Sequence, residues 1–178
     1  MRRIEVNVEI GYPPEAVFIA LRDRIEELAH FMPHVEYMKV LEREDAPPLT
    51  RVYNRWQGTK DNVPAVARPF ISRDVVGWFD RAEWSSETLA CTWRIEPVKF
   101  KKLFDCHGTT TLAHSEGGSL FTLVVNLELD LQKVPGLPKF LARRVQGPVE
   151  SFVAKSLTPN LASLANAVQA YFDESGLP

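Results

Sequence analysis

From residue 3 to residue 10 the chain alternates, with Ile4, Val6, Val8 and Ile10 set against Arg3, Glu5, Asn7 and Glu9. This is the period-two pattern of a half-buried strand. Gly11-Tyr12-Pro13-Pro14 ends it, and Pro14 suits the opening of a helix in which Ala16, Val17, Ala20 and Leu21 hold helical spacing. A further short helical stretch, with Ile25, Leu28 and Ala29, stops before Pro33. Strand-like runs follow from Val35 to Arg43, Thr50 to Gly58, Val76 to Trp84, Leu89 to Glu96, Phe104 to His114 and Leu120 to Leu131. Asp45-Ala46-Pro47-Pro48, Ser85-Ser86-Glu87 and Glu116-Gly117-Gly118 supply turns between them. The stretch from Asp61 to Ser72 reads as a short helix or ordered loop, and Pro138 opens a short helix within Pro135–Gln146.

The last stretch, Gly147 to Glu174, organises the rest. At about 100° per residue, Val149, Val153, Leu157, Leu161, Leu164, Val168 and Tyr171 share one stripe, flanked by Phe152 and Phe172. Lys155, Ser163 and Asp173 fall on other faces. Pro148 suits a first helical position, and the helix then runs roughly 40 Å. Pro159 removes a bond to the Lys155 carbonyl and bends it. Asn160 beside it either repairs the bonds freed by the proline or faces a cavity. The order of strand, two short helices, six strands and long helix predicts an α+β fold: a curved antiparallel sheet of about seven strands wrapped around the C-terminal helix. A chain of 178 residues suits one such domain, 1–178.

The strand faces argue about what lies between sheet and helix. The third strand carries Val52, Asn54 and Trp56 on one face, and Arg51, Tyr53, Arg55 and Gln57 on the other. The fourth sets Trp78, Asp80, Ala82 and Trp84 against Gly77, Phe79, Arg81 and Glu83. The sixth sets Phe104, Cys106, Thr110 and Leu112 against Asp105, His107, Thr109 and Thr111. Only the seventh has a solidly apolar face: Phe121, Leu123, Val125, Leu127 and Leu129. A filled core avoids charges, whereas a ligand pocket has apolar walls with a few orienting polar groups. The mixed faces suit a pocket, whichever side of the third strand is inside.

Composition narrows the partners. The chain is 45% hydrophobic with a net charge of −2, and its pI near 6.1 gives no electrostatic case for nucleic acid. Cys91 and Cys106 form no metal or redox motif and read as buried free thiols, which fits a reducing cytoplasm. The N-terminus alternates instead of forming an apolar block, so no signal peptide is expected, and no run reaches the length of a membrane span. Two stretches mix basic and apolar residues: Val98 to Phe104, and Lys133 to Arg144 with Lys139, Arg143 and Arg144 beside Leu137, Phe140 and Leu141. They read as solvated faces over packed elements, or as the site of a transient contact with anionic membrane.

Reactive motifs are sparse. His30 and His34 are four apart, but Pro33 lies between them and no third ligand is evident, so no metal is expected. His107 could serve as a general base if the Asp105/His107 face points inward; otherwise it is a surface histidine. No phosphate loop, nucleophile elbow or Cys–His pair is present in the sequence, and no cofactor is expected.

The opening strand Ile4 to Ile10, the step GYPPEAVFIALRD (Gly11 to Asp23), the helix-end-to-strand segment Phe31-Met32-Pro33-His34-Val35 and the closing helix with its internal proline resemble the START-like superfamily. This is also called the Bet v 1-like or polyketide cyclase/dehydrase and lipid transport group. The resemblance implies a helix-grip fold with an apolar tunnel between sheet and C-terminal helix. It implies binding or transport of a hydrophobic small molecule, lipid-like or polyketide-like, or alternatively a cyclase or dehydratase that uses the same cavity. The two His and carboxylate that ligate iron in one subset of this superfamily have no counterpart here. On this reading Trp56, Trp78, Trp84, Trp93 and Phe121 wall the cavity with Phe152, Leu157 and Leu161, while Val66 and Phe70 line or gate its mouth. Tyr53, Arg55 and Asn160 orient the ligand; in the cyclase alternative Arg55, Tyr53 or His107 handles protons. The carrier is the preferred reading, no catalytic residue is named, and the oligomeric state is left open.

Overall fold

Strand β1 (Arg2–Ile10) is followed at once by helices α1 (Pro14–Asp23) and α2 (Ile25–Leu28), which pass through a 3-10 turn (Ala29–Phe31) into β2 (Val35–Ala46). Strands β3 (Leu49–Gly58), β4 (Gly77–Ser85), β5 (Ala90–Pro97), β6 (Phe104–Ser115) and β7 (Gly118–Leu129) follow, and helix α3 (Lys139–Ser175) comes last. A computed structural model describes residues 1–61, 72–99, 101–133, 136 and 138–176, with side chains for all of these except 75 and 152–160. The seven strands form one sheet in the order β1-β7-β6-β5-β4-β3-β2. Every neighbouring pair is antiparallel. Two irregularities in β2, between Val35 and Tyr37 and between Val40 and Glu42, help the edge strand curve. This is the helix-grip architecture that the element order predicts.

The sequence pattern locates most elements to within a residue or two, because period-two alternation and proline-rich turns are local signals. Pro14 occupies the first turn of α1, where its missing N–H has no intrahelical partner to lose. Strand β7 stops at Leu129 instead of continuing to Leu131, where a 3-10 turn (Leu131–Lys133) begins.

The end of the chain needs a larger correction. The short helix expected at Pro138 and the long helix expected from Gly147 are one helix of 37 residues, about 55 Å of axial rise. Pro148 therefore lies inside the helix. Its ring leaves the Arg144 carbonyl without the usual amide donor, and one turn on, the Ser151 hydroxyl donates to the Gly147 carbonyl at 2.9 Å. Tertiary anchoring outweighs the propensity to break at Gly147-Pro148. Near the start of α3, the Gln146 side-chain amide donates to the Leu129 carbonyl, and its oxygen accepts from the Leu131 N–H at 3.1 Å. Near the end, Gln169 accepts from the Gly11 N–H at 2.8 Å, the Tyr12 hydroxyl donates to Asp173 at 2.8 Å, and the Tyr12 and Phe172 rings lie 4.6 Å apart. Gly176 closes the helix in the left-handed conformation, φ 63°, with its N–H on the Phe172 carbonyl.

The packed core runs along the β1–β7 side of the sheet. Ile10, Val17, Leu21, Leu28, Phe121, Val125 and Leu127 are fully buried there with Ala165 and Val168 of α3. The concave wall depends on one close approach in β6, opposite Val125. A Cβ on Gly108 would stand 2.0 Å from the Val124 carbonyl oxygen and 2.5 Å from the Trp93 ring, so only glycine lets that indole lie across β6. Gly108→Ala is expected to lower stability by ~1–3 kcal/mol through overpacking, read as a drop in the urea or thermal midpoint. Gly117→Ala, where a Cβ meets nothing within 4 Å, is the control that should leave the midpoint nearly unchanged.

Candidate functional site

Helix α3 packs chiefly on β1 and more lightly on β7. The concave faces of β3, β4 and β5 are thereby left open to a space between sheet and helix. That space is a cavity of about 690 Å³, well within the usual range for small-molecule sites. Its sheet wall is Val52, Asn54, Trp56, Trp78, Asp80, Ala82, Trp84, Cys91, Trp93, Ile95, Phe104, Thr110 and Leu123, and its helix wall includes Val149, Leu161, Ser163 and Leu164. Period-two alternation puts these sheet residues on one side, so the aromatic and polar mixture noted on β3 and β4 is the inner lining.

Three residues make the polar centre of that lining. Asn54 and Asp80 are directly opposed across β3 and β4, as are Trp56 and Trp78 one pleat further along. The two indoles stack at 5.7 Å with planes 8° apart, and the Trp56 indole N–H donates to Asp80 Oδ1 at 3.1 Å. Burial raises the Asp80 carboxyl from 3.8 to about 6, against hydrogen bonds from Asn54 and Trp56 that favour its charged form. Asn54 is 3% exposed, and its Oδ1 has no hydrogen-bond partner among the described residues. Deeper along the sheet, the Trp93 indole N–H donates to Thr110 Oγ1 at 3.2 Å. His34, just ahead of β2, also lines the cavity, with a buried Nδ1 that lacks a partner among the described residues. Lys99 and Leu103, from one of the two basic–apolar stretches, contribute to the lining as well.

Of the residues predicted for the site, Trp56, Trp78, Trp84, Trp93 and Leu161 lie in this lining. Phe121 does not. It is 0% exposed and belongs to the packed core, because it sits opposite Val8 and Leu112 toward the β1–α1 corner, whereas Leu123 and Leu129 of the same strand line the cavity. Tyr53 and Arg55 are corrections. Both point to the convex face, where Arg81 lies 4.1 Å from the Tyr53 ring, Tyr53 stacks on Phe79 at 5.5 Å, and Arg55 lies 5.0 Å from the Phe79 ring. This outer ladder of arginines and aromatic rings accounts for the aromatic character of both faces of β3 and β4. His107 is also on the outer side, half exposed and 3.3 Å from Asp105, so it cannot act as a base in the cavity. Ser163, expected off the apolar stripe, lines the cavity instead. Phe152, Leu157 and Asn160 lie on α3, but their side chains fall outside the described residues, as do Val66 and Phe70 altogether.

Asp80 and Asn54 are site residues that the sequence pattern does not single out. Their signal was present: each interrupts an otherwise aromatic and aliphatic face. What the sequence lacked was the sidedness of β3. Both cysteines are buried and free, as expected. Burial pushes the Cys106 thiol up to about 12 and the Cys91 thiol further still, so neither is a nucleophile at neutral pH. Among the described residues no group of three His, Cys, Asp or Glu is placed to hold a metal ion, and no helix is long and apolar enough to cross a membrane.

A curved sheet gripping a long C-terminal helix around an apolar cavity defines the helix-grip class. Residues 10–157 match the family model for polyketide cyclase/dehydrase and lipid transport, and the chain belongs to that family. No curated protein matches the sequence. Among solved structures, TTHA0849 from Thermus thermophilus is similar at 20% identity over 96% of this chain and 99% of its own, TM-score 0.67. The Zhui aromatase/cyclase from Streptomyces sp. R1128 is similar at 16% identity over 97% and 93%, TM-score 0.64. A START superfamily protein from Mycobacterium smegmatis is similar at 12% identity over 97% of each chain, TM-score 0.58. At these identities the likeness is one of fold.

The raised Asp80 carboxyl has a signed consequence. A carboxyl whose folded pKa lies above its unfolded value contributes stability while protonated and loses it as pH rises through the folded pKa. Wild type is therefore expected to lose ~3 kcal/mol relative to Asp80→Asn as pH rises from about 4 to about 8. Urea unfolding of both proteins across that range checks this, and parallel pH profiles would contradict it.

Proposed function

We propose that the protein binds a hydrophobic small molecule, lipid-like or polyketide-like, in the cavity between sheet and α3, and carries it without chemical change. The observation that supports this most directly is the cavity itself. It is about 690 Å³ in volume and walled by four tryptophans, with Asn54 and Asp80 opposed across its sheet wall. Removing an apolar molecule from water into such a space is favourable by roughly 25 cal/mol per Å² buried. Protein purified under native conditions is expected to release an apolar molecule on denaturing extraction, detected by mass analysis. The emptied protein should take up N-phenyl-1-naphthylamine with one-to-one stoichiometry. Ala82→Trp, which projects a large ring into the cavity, should abolish uptake. Absence of both release and uptake would end the reading.

Asp80 gives the second reading, a cyclase or dehydratase, its specific support. A cavity-lining carboxyl near 6 can both take and give a proton at neutral pH. The groups named for proton handling from sequence lie on the other side of the sheet. Conversion of a linear poly-β-ketone mimic by wild type, and its loss in Asp80→Asn, would move the protein from carrier to enzyme.

Transient contact with anionic membrane is part of the carrier proposal. Phe140 is 75% exposed and Leu141 37% exposed at the start of α3, beside exposed Lys139, Arg143 and Arg144. Vesicles containing phosphatidylserine are expected to retain the protein at low salt. Phe140→Ser/Arg143→Ser should weaken retention several-fold, while neutral vesicles should not retain wild type.

A further inference from the structure

We infer that the cavity selects apolar molecules that carry a hydroxyl, which donates its hydrogen to Asn54 Oδ1 beside Asp80, and that it disfavours molecules presenting a carboxylate there. This deepens, and rests on, the proposal that the cavity holds a hydrophobic ligand. Asp80 accepts from the Trp56 indole at 3.1 Å and from the Asn54 amide that faces it across the strand pair. The carboxylate orients that amide, because its NH₂ must turn toward the negative oxygen, which turns Oδ1 away. The Trp56 N–H is thus committed to Asp80 and the Trp93 indole N–H to Thr110, while the Asn54 amide faces Asp80 and favours its charged form. Asn54 Oδ1 is an acceptor with no partner among the described residues, in a side chain 3% exposed, and Asn54 lines the cavity.

A buried unpaired acceptor is a standing penalty that a ligand donor relieves. A hydroxyl on a flat ring system or an aliphatic chain meets that requirement. The neighbouring tryptophans Trp56, Trp78 and Trp93 offer ring faces to the apolar body around it. A carboxylate brings acceptors to acceptors and a negative charge to Asp80. The cations that line the cavity among the described residues are engaged elsewhere: Arg22 is held bidentate by Asp23, and Lys99 lies 3.8 Å from Asp74. The cluster therefore reads the polar group of the ligand by hydrogen-bond sense, as sites built around buried polar groups do.

The test uses three probes of one shape: pyrene, 1-hydroxypyrene and 1-pyrenecarboxylate, titrated by fluorescence at pH 7.5. Wild type is expected to bind 1-hydroxypyrene roughly tenfold more tightly than pyrene, and pyrenecarboxylate more weakly than pyrene. Asn54→Leu should bring hydroxypyrene to within about twofold of pyrene while holding pyrene affinity, with a thermal melt confirming the fold. Asp80→Asn, which keeps the side-chain shape, should lift the penalty on the carboxylate. Equal binding of pyrene and hydroxypyrene by wild type, or a hydroxyl preference that survives Asn54→Leu, overturns the inference and leaves the hydrophobic cavity standing. Failure of all three probes to bind overturns both.

Discussion

The structure turns on where one long helix can touch a curved sheet. Helix α3 is anchored near its two ends, at Leu129 and Leu131 through Gln146 and at the β1–α1 corner through Gln169 and Asp173. Between those anchors it crosses the sheet chiefly over β1 and β7. The sheet curves away toward β3, β4 and β5, and a helix fixed at both ends cannot follow it. Close packing of apolar side chains is the general rule for interiors, and here the anchors prevent it. A cavity is what remains, and its lining is whatever the concave faces of those strands happen to carry.

That geometry explains the division of labour along the sheet. Strand β7, under the helix, carries an unbroken inner face of Phe121, Leu123, Val125 and Leu127, all buried. Strands β3 and β4, away from it, can hold an asparagine and an aspartate on the same inner side without collapsing the fold. Each polar group there is partly compensated: the carboxyl by an indole and an amide, and the amide by the carboxyl. The compensation is incomplete at Asn54 Oδ1. Buried polar groups left unsatisfied call for an explanation in a native fold, and a ligand in the cavity that Asn54 lines would supply one.

The same sheet also shows how an outer face can imitate an inner one. Arg81, Tyr53, Phe79 and Arg55 form a continuous stack on the convex side. Cation–π contact gives half-buried aromatic rings on the convex face a reason to be there without a ligand or a core. Because the stack is built from the residue types that also line pockets, composition alone could not separate the two sides.

The sequence by itself determined the element order, the antiparallel α+β class, the closing helix and the family resemblance. Alternation, proline and glycine act over a few residues and do not need the rest of the chain. It also placed an aromatic and polar mixture on β3 and β4, without deciding which face of either strand is inside. Three things were decided only in three dimensions. Gly147-Pro148 did not begin the last helix, because anchors distant in sequence hold Lys139–Ser175 as one rod. Phe121 went to the core and not to the wall, because it lies opposite Val8 and Leu112 toward the β1–α1 corner and not further along β7, where Leu123 and Leu129 line the cavity. Asn54 and Asp80 became the polar centre while Tyr53 and Arg55 turned outward, because the sign of the sheet's curvature, a property of all seven strands together, chooses which side of each strand is inside.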